Sequence, residues 1–295
     1  MPKRLTEDQV ETFASEGYVC PLDGIGGDGA LDCLDRLDAF EEATGDAMSE
    51  RLRLKAHLAF PWMTALAGDA RILDAVEDLI GSDILLYISS VWAKNPGDQR
   101  YVSWHQDSAY YGLKPHDAVS VWLALTPSTT DCGSVKVIPG SHIGAPREHL
   151  ETWDDMNMLW RGQAIRGMDI GRAVDMQLAP GQFSIHHEKL VHGSLPNDSP
   201  NRRIGISFTY VPARVRSVAG RGAAILLRGR DPFDHWDADP APRFDLDPVG
   251  VGAMHRALVA YRDPARVPEG GRAVMTSMER RALRAHLLHR SPPAR

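Results

Sequence analysis

Residues 84–94, ILLYISSVWAK, are where the chain changes its period. β-Branched and aromatic residues crowd together here, and five further short runs of the same kind follow. They are YVSWHQ (101–106), AVSVWLAL (118–125), SVKVIPG (134–140), DMQLAPGQFSIHH (175–187) and RRIGISFTYVPA (202–213), parted by Gly, Pro, Asn and Asp clusters. Closely spaced short strands of this kind predict a sandwich or barrel rather than a parallel α/β sheet.

Upstream the period is helical. LTEDQVETFASEG (5–17) opens with Thr6 and, three residues on, Gln9, the pattern of a capping box. ALDCLDRLDAFEEAT (30–44) repeats Leu31, Leu34, Leu37 and Phe40, and DARILDAVEDLIG (69–81) has Asp69 as a cap and Gly81 as a stop. Residues 1–82 are thus expected to be mostly helical, and 83–215 to be the β core. Near 142–168 lies a weakly periodic insert long enough for a lid. Residues 216–295 form a C-terminal extension, rich in Pro and Asp and expected to be irregular at first, with one more helix near 278–288. No composition break divides the 295 residues, so one α+β domain is the expectation.

Bulk composition removes several functions. Lys and Arg number 33 against 39 Asp and Glu, and a net charge of −6 offers nothing to nucleic acid or an anionic membrane. Three cysteines without CxxC spacing encode neither a disulfide framework nor a cysteine zinc site. No signal peptide or membrane-spanning run is legible, which points to the cytoplasm. The preference for Arg over Lys suggests a GC-rich bacterial genome.

The chemistry starts at SWHQDSAYYGL (103–113). In a strand, residues two apart share a face, so His105 and Asp107 can reach one ion while Gln106 turns away. An HxD pair alone is weak evidence, the bland alternative being a polar strand face. SIHHEKLVHGSLPNDSPNRR (184–203) offers the missing ligand. If His192 joins the pair, two histidines and one carboxylate occupy one face of a metal, the arrangement of non-haem Fe(II) oxygenases. Adjacent His186 and His187 point to opposite faces of a strand, so neither is expected to be a ligand. His142 follows a Pro-Gly turn and reads as structural. Arg203, eleven residues beyond His192, could be half of a surface ion pair or could grip a carboxylate in bidentate fashion.

The ordered set WHQD, VSVWLALTPSTTDCGSVKVIPGSH and HGSLPNDSPNRR resembles the phytanoyl-CoA dioxygenase family of Fe(II)/2-oxoglutarate oxygenases, over roughly residues 5 to 215. The resemblance implies a double-stranded β-helix, a cupin-like jelly-roll barrel with helices packed on one side. It implies Fe(II) on His105, Asp107 and His192, and 2-oxoglutarate held by Arg203 and Ser194, with Gln106 and Trp122 lining its pocket. Lys55 and Val91 match co-substrate positions only by distance from the HxD. With O2, such an enzyme hydroxylates or otherwise oxidises a C–H bond and releases succinate and CO2. The carboxylate at 107 argues against halogenation, because related halogenases leave that place to a halide.

A small polar or amphipathic metabolite is the expected partner, with Tyr110, Tyr111 and Trp160 as candidate substrate contacts. An acyl-CoA does not follow from the family name. Two rival readings remain, a cupin-type metal enzyme independent of 2-oxoglutarate and a non-catalytic barrel. Oligomeric state is not legible.

Overall fold

The computed structural model describes residues 2–151, 154–159, 163–165, 167–218 and 220–261. Helix α1 (Glu7–Glu16) begins with the expected capping box: Gln9 N–H donates to the Thr6 hydroxyl at 3.1 Å, and Thr6 N–H donates to the Gln9 side chain at 2.9 Å. Helix α2 (Gly26–Thr44) buries Ala30, Cys33, Leu37 and Phe40, while Leu31 is 59% exposed. This corrects the stripe read from the sequence. Strict three-residue steps drift around a 3.6-residue helix, and alternating three- and four-residue steps are what keep one face on the core. Helix α3 (Pro61–Ala67) follows, then α4 (Ala70–Ile80), capped by Asp69 and stopped at Gly81.

The strands that build the barrel are β1 (Tyr18–Asp23), β2 (Ile84–Lys94), β3 (Val102–His105), β4 (Val119–Ala124), β5 (Val135–Val137), β6 (Val174–Met176), β7 (Gln182–His187), β8 (His192–Ser194), β9 (Arg203–Pro212), β10 (Gly222–Arg228) and β11 (Trp236–Ala238). One sheet runs β1-β7-β4-β9-β2-β10-β11 and the other β3-β8-β5-β6. Neighbours are antiparallel except β10 with β11. The chain thus has the jelly-roll fold.

The large sheet is covered on both faces, which is why its strands read as near-continuous buried runs. Its two side-chain rows nevertheless differ in chemistry. Val119, Val121 and Leu123 of β4, Ile204, Ile206, Phe208 and Tyr210 of β9, Val91 and Ala93 of β2, and Phe183 and Ile185 of β7 join the helices in one apolar core. The alternate residues, among them Ser120, Trp122, Arg203, Ser207, Thr209, Ser90, Trp92 and His186, line a cavity on the other face. The period of two therefore sorts packing from chemistry within the same strands.

The C-terminal stretch departs from expectation. Residues 236–238 form an edge strand with Trp236 buried, and helix α5 (Pro248–Tyr261) packs beyond it. The helix expected at 278–288 lies outside the described residues.

Candidate active site

Strand β3 ends at His105, and Asp107 stands at the start of a one-turn helix, Ser108–Tyr111. The two residues converge because the strand stops and turns, not because they alternate along it. Across from them His192 pairs directly with His105 in the antiparallel β8–β3 ladder. Ligand atoms of His105, Asp107 and His192 all lie within 4.8 Å of one another, with Asp107 Oδ1 3.6 Å from His105 Nε2 and 3.9 Å from His192 Nε2.

Both imidazoles are set for a metal. His105 Nδ1 lies 2.8 Å from the Ser103 carbonyl and His192 Nδ1 2.9 Å from the Leu190 carbonyl. A carbonyl oxygen can only accept, so each Nδ1 carries a proton and it is Nε2 that is aimed at an ion. Burial, with His105 and His186 nearby, pushes His192 well below the usual histidine range and keeps it neutral. Burial alone would raise the Asp107 carboxyl, but His192, His105 and His186 outweigh it and hold the group well below the usual carboxylate range. Two imidazoles with one carboxylate are a donor set that fits a divalent first-row metal.

The second carboxylate oxygen is held separately. Ser120 donates to Asp107 Oδ2 at 2.9 Å, Ser120 and Thr209 hydroxyls lie 3.3 Å apart, and the Tyr111 hydroxyl lies 3.1 Å from Thr209. A polar row thus crosses the sheet from the ligand set toward Tyr111. His186 Nε2 stands 3.7 Å from Asp107 Oδ2, outside the three-residue cluster but facing the same cavity.

Toward β9, Arg203 is 1% exposed and its guanidinium stacks 4.9 Å from the Trp122 ring. Gly205 makes room for that ring, since a Cβ there would strike it. Burial lowers Arg203 to about 10, so it remains charged at neutral pH. Among the described residues it has no carboxylate partner, and its Nε is buried without a hydrogen bond. A buried, unanswered cation is costly unless a ligand supplies the counter-charge.

The phytanoyl-CoA dioxygenase family profile matches residues 29–205. The chain belongs to this family. It is 27% identical over 199 residues to a probable alpha-ketoglutarate-dependent hypophosphite dioxygenase of Stutzerimonas stutzeri, covering 65% of this chain and 69% of that one. It is 35% identical over 118 residues to the 1-deoxypentalenic acid 11-beta-hydroxylase of Streptomyces arenae, covering 37% and 40%. Among solved structures, the non-heme monooxygenase ThoJ superimposes with a TM-score of 0.74 at 30% identity, over 88% of this chain and 97% of the other. CytC3, at 21% identity, TM-score 0.61 and coverage of 84% and 97%, shares the fold. The protein is an iron- and 2-oxoglutarate-dependent dioxygenase.

The remaining residues singled out in the sequence are placed as follows in the dioxygenase. Ser194 and Trp122 line the cavity with Arg203, and Tyr110 and Tyr111 line it beside the ligand set. Three residues sit elsewhere. Val91 has the parity of Ala93 and points into the helix-facing core. The Gln106 side chain ties the Lys189 carbonyl at 2.6 Å to the Arg147 N–H at 2.7 Å, which braces the loops behind Asp107 rather than a co-substrate. Lys55 is buried in an ion pair with Asp239. Trp160 lies outside the described residues. The lid-like insert contributes Leu159 to the cavity wall, and the Arg53 guanidinium donates to the Met158 carbonyl.

Lys94 was missed. Its Nζ donates to Ser194 Oγ at 2.6 Å and to the Leu195 carbonyl, and it sits opposite Arg203 in the β9–β2 register. Burial and then Arg203 lower it to about 6. Its parity with Ser90 and Trp92 was the available signal. No helix among the described residues is long and apolar enough to cross a membrane.

Proposed function

We propose that this dioxygenase hydroxylates, or desaturates or cyclises, a C–H bond of a small organic metabolite in the cytoplasm. His105, Asp107 and His192 hold Fe(II), and Arg203 holds the far carboxylate of 2-oxoglutarate. The observation that carries the reading is Arg203, a buried cation on an aromatic platform without a counter-charge of its own, in the same cavity as the His–Asp–His cluster. O2 would be the oxidant: bound Fe(II) would activate it, one oxygen atom going to 2-oxoglutarate as that breaks down to succinate and CO2, and the other oxidising the substrate.

The protein's share is positioning. The Ser103 and Leu190 carbonyls fix the two imidazoles by their Nδ1 protons. Ser120 engages Asp107 Oδ2, so that Oδ1 alone faces the two Nε2 atoms. Arg203 and Trp122 orient the co-substrate from one end, and Ser194 with Lys94 closes that end off. Because Asp107 occupies the place a halide would need, hydroxylation or a related oxidation is favoured over halogenation.

Anaerobic titration of Fe(II) into the apo-protein with 2-oxoglutarate tests this by the visible metal-to-ligand charge-transfer band. A band in the wild type that is lost in His192→Ala is the expected result. No band in the wild type, or an undiminished one in His192→Ala, overturns the reading. Full activity without 2-oxoglutarate in Arg203→Ala would favour a cupin-type enzyme instead.

A further inference from the structure

The chamber at the ligand cluster holds about 130 Å³, and a second one of about 380 Å³ adjoins it, with Leu54, Ile88, Tyr110, Tyr111 and Tyr261 in the walls of both. Small-molecule sites usually run from ~300 to ~1,000 Å³. The inner chamber therefore suits the co-substrate and the reacting end of a second molecule, and the bulk of that molecule has to lie in the outer one.

The outer chamber's wall has a definite chemistry. Helix α5 turns Ala253, Ala257 and Ala260 toward it, a face of small side chains that leaves space rather than filling it. Tyr87 and Tyr111 meet edge to face at 5.8 Å on the side nearer the ligand cluster. Three cations and one carboxylate line this chamber, in a chain whose net charge is −6. Lys55 is matched by Asp239, and Arg221 forks to Asp234 and Asp237. Arg256, exposed on α5, has no ion pair or hydrogen bond among the described residues.

We propose that the substrate is an amphipathic organic monoanion. Its oxidised carbon lies at the His105–Asp107–His192 cluster, its apolar or aromatic body between the tyrosines, and its anionic end at Arg256. One guanidinium without a partner among the described residues matches a single carboxylate-sized group and not a string of phosphates, so a free acid is favoured over a nucleotide-bearing thioester. The proposal rests on the iron and 2-oxoglutarate reading of the inner chamber.

The test uses the full chain loaded anaerobically with Fe(II) and 2-oxoglutarate, and follows the charge-transfer band as probes are added. Decanoate and 4-phenylbutyrate are compared with methyl decanoate and 4-phenylbutyramide. The acids are expected to perturb the band at concentrations about tenfold below their neutral counterparts, with Arg256→Glu erasing that preference. Because Arg256 lies on an exposed helix face away from the ligand cluster, the band before addition of probe reports separately on the inner site. Absence of that band overturns the reading of the inner chamber and this proposal with it. A normal band with no response to either acid, an equal response to the neutral probes, or an acid preference that survives in Arg256→Glu overturns this proposal alone.

Discussion

Lys55 and Arg203 are both buried cations, 5% and 1% exposed, yet they do opposite things. Lys55 meets Asp239 and the Ala223 carbonyl, so its charge is answered within the chain and ties the segment before α3 to the strand at the C-terminal edge. Arg203 has an aromatic face beneath it and no carboxylate among the described residues. The comparison teaches that a buried charge matched by a counterion in the chain is structure, whereas one with none among the described residues leaves a place for an outside counter-charge, the role proposed for Arg203.

Breaking the internal pair should have the largest effect. Asp239→Leu leaves a buried ammonium unanswered and is expected to cost about 3–5 kcal/mol of stability. Lys55→Met with Asp239→Leu should recover most of that loss, and 2-oxoglutarate affinity should be unchanged in the double variant. Urea unfolding and co-substrate titration check the two halves.

Arg203→Leu should do the reverse. The fold should hold or gain stability, since a desolvated charge is gone, while affinity for 2-oxoglutarate falls by about 2–5 kcal/mol, measured by the charge-transfer titration. A variant that unfolds, or that binds 2-oxoglutarate as before, would erase the distinction between the two cations.

Lys94 sharpens the comparison through pH. In the unfolded chain a lysine stays protonated up to its ordinary 10.5, whereas the folded Lys94 does so only up to about 6. Between those values the unfolded state holds the extra proton, so Lys94 makes stability rise with pH across that window. Lys94→Met should flatten that rise in denaturation midpoints measured from pH 6 to 10. The smallest effect is expected from Trp122→Phe, which keeps a ring under Arg203 but weakens the cation–π contact. Affinity for 2-oxoglutarate should drop by about 1 kcal/mol, roughly fivefold.

Much of this was legible along the chain. Turn clusters and β-branched runs marked the strands, the capping box marked α1, and the spacing of His105, Asp107, His192 and Arg203 marked the cluster and its companion cation. What failed did so for geometric reasons. Val91 and Lys55 were placed by counting residues back from the HxD, which carries no information about strand parity or about Asp239, 184 residues beyond Lys55. Leu31 repeats in step with Leu34, Leu37 and Phe40 along the sequence yet faces solvent, because three-residue steps drift around a 3.6-residue helix. Gln106 was placed beside the co-substrate through resemblance, while its amide braces two loops on the far side.

By itself the sequence determined the periods and the chemical types: which stretches become strands, which donors suit a divalent metal, and which cation could take a carboxylate. Tertiary structure decided which of two alternating rows faces the cavity, that His192 lies opposite His105, and that Lys94 rather than Lys55 stands beside Arg203. The physical reason is that a strand's period of two offers both faces equally, and only its pairing with strands that can lie more than a hundred residues away chooses between them.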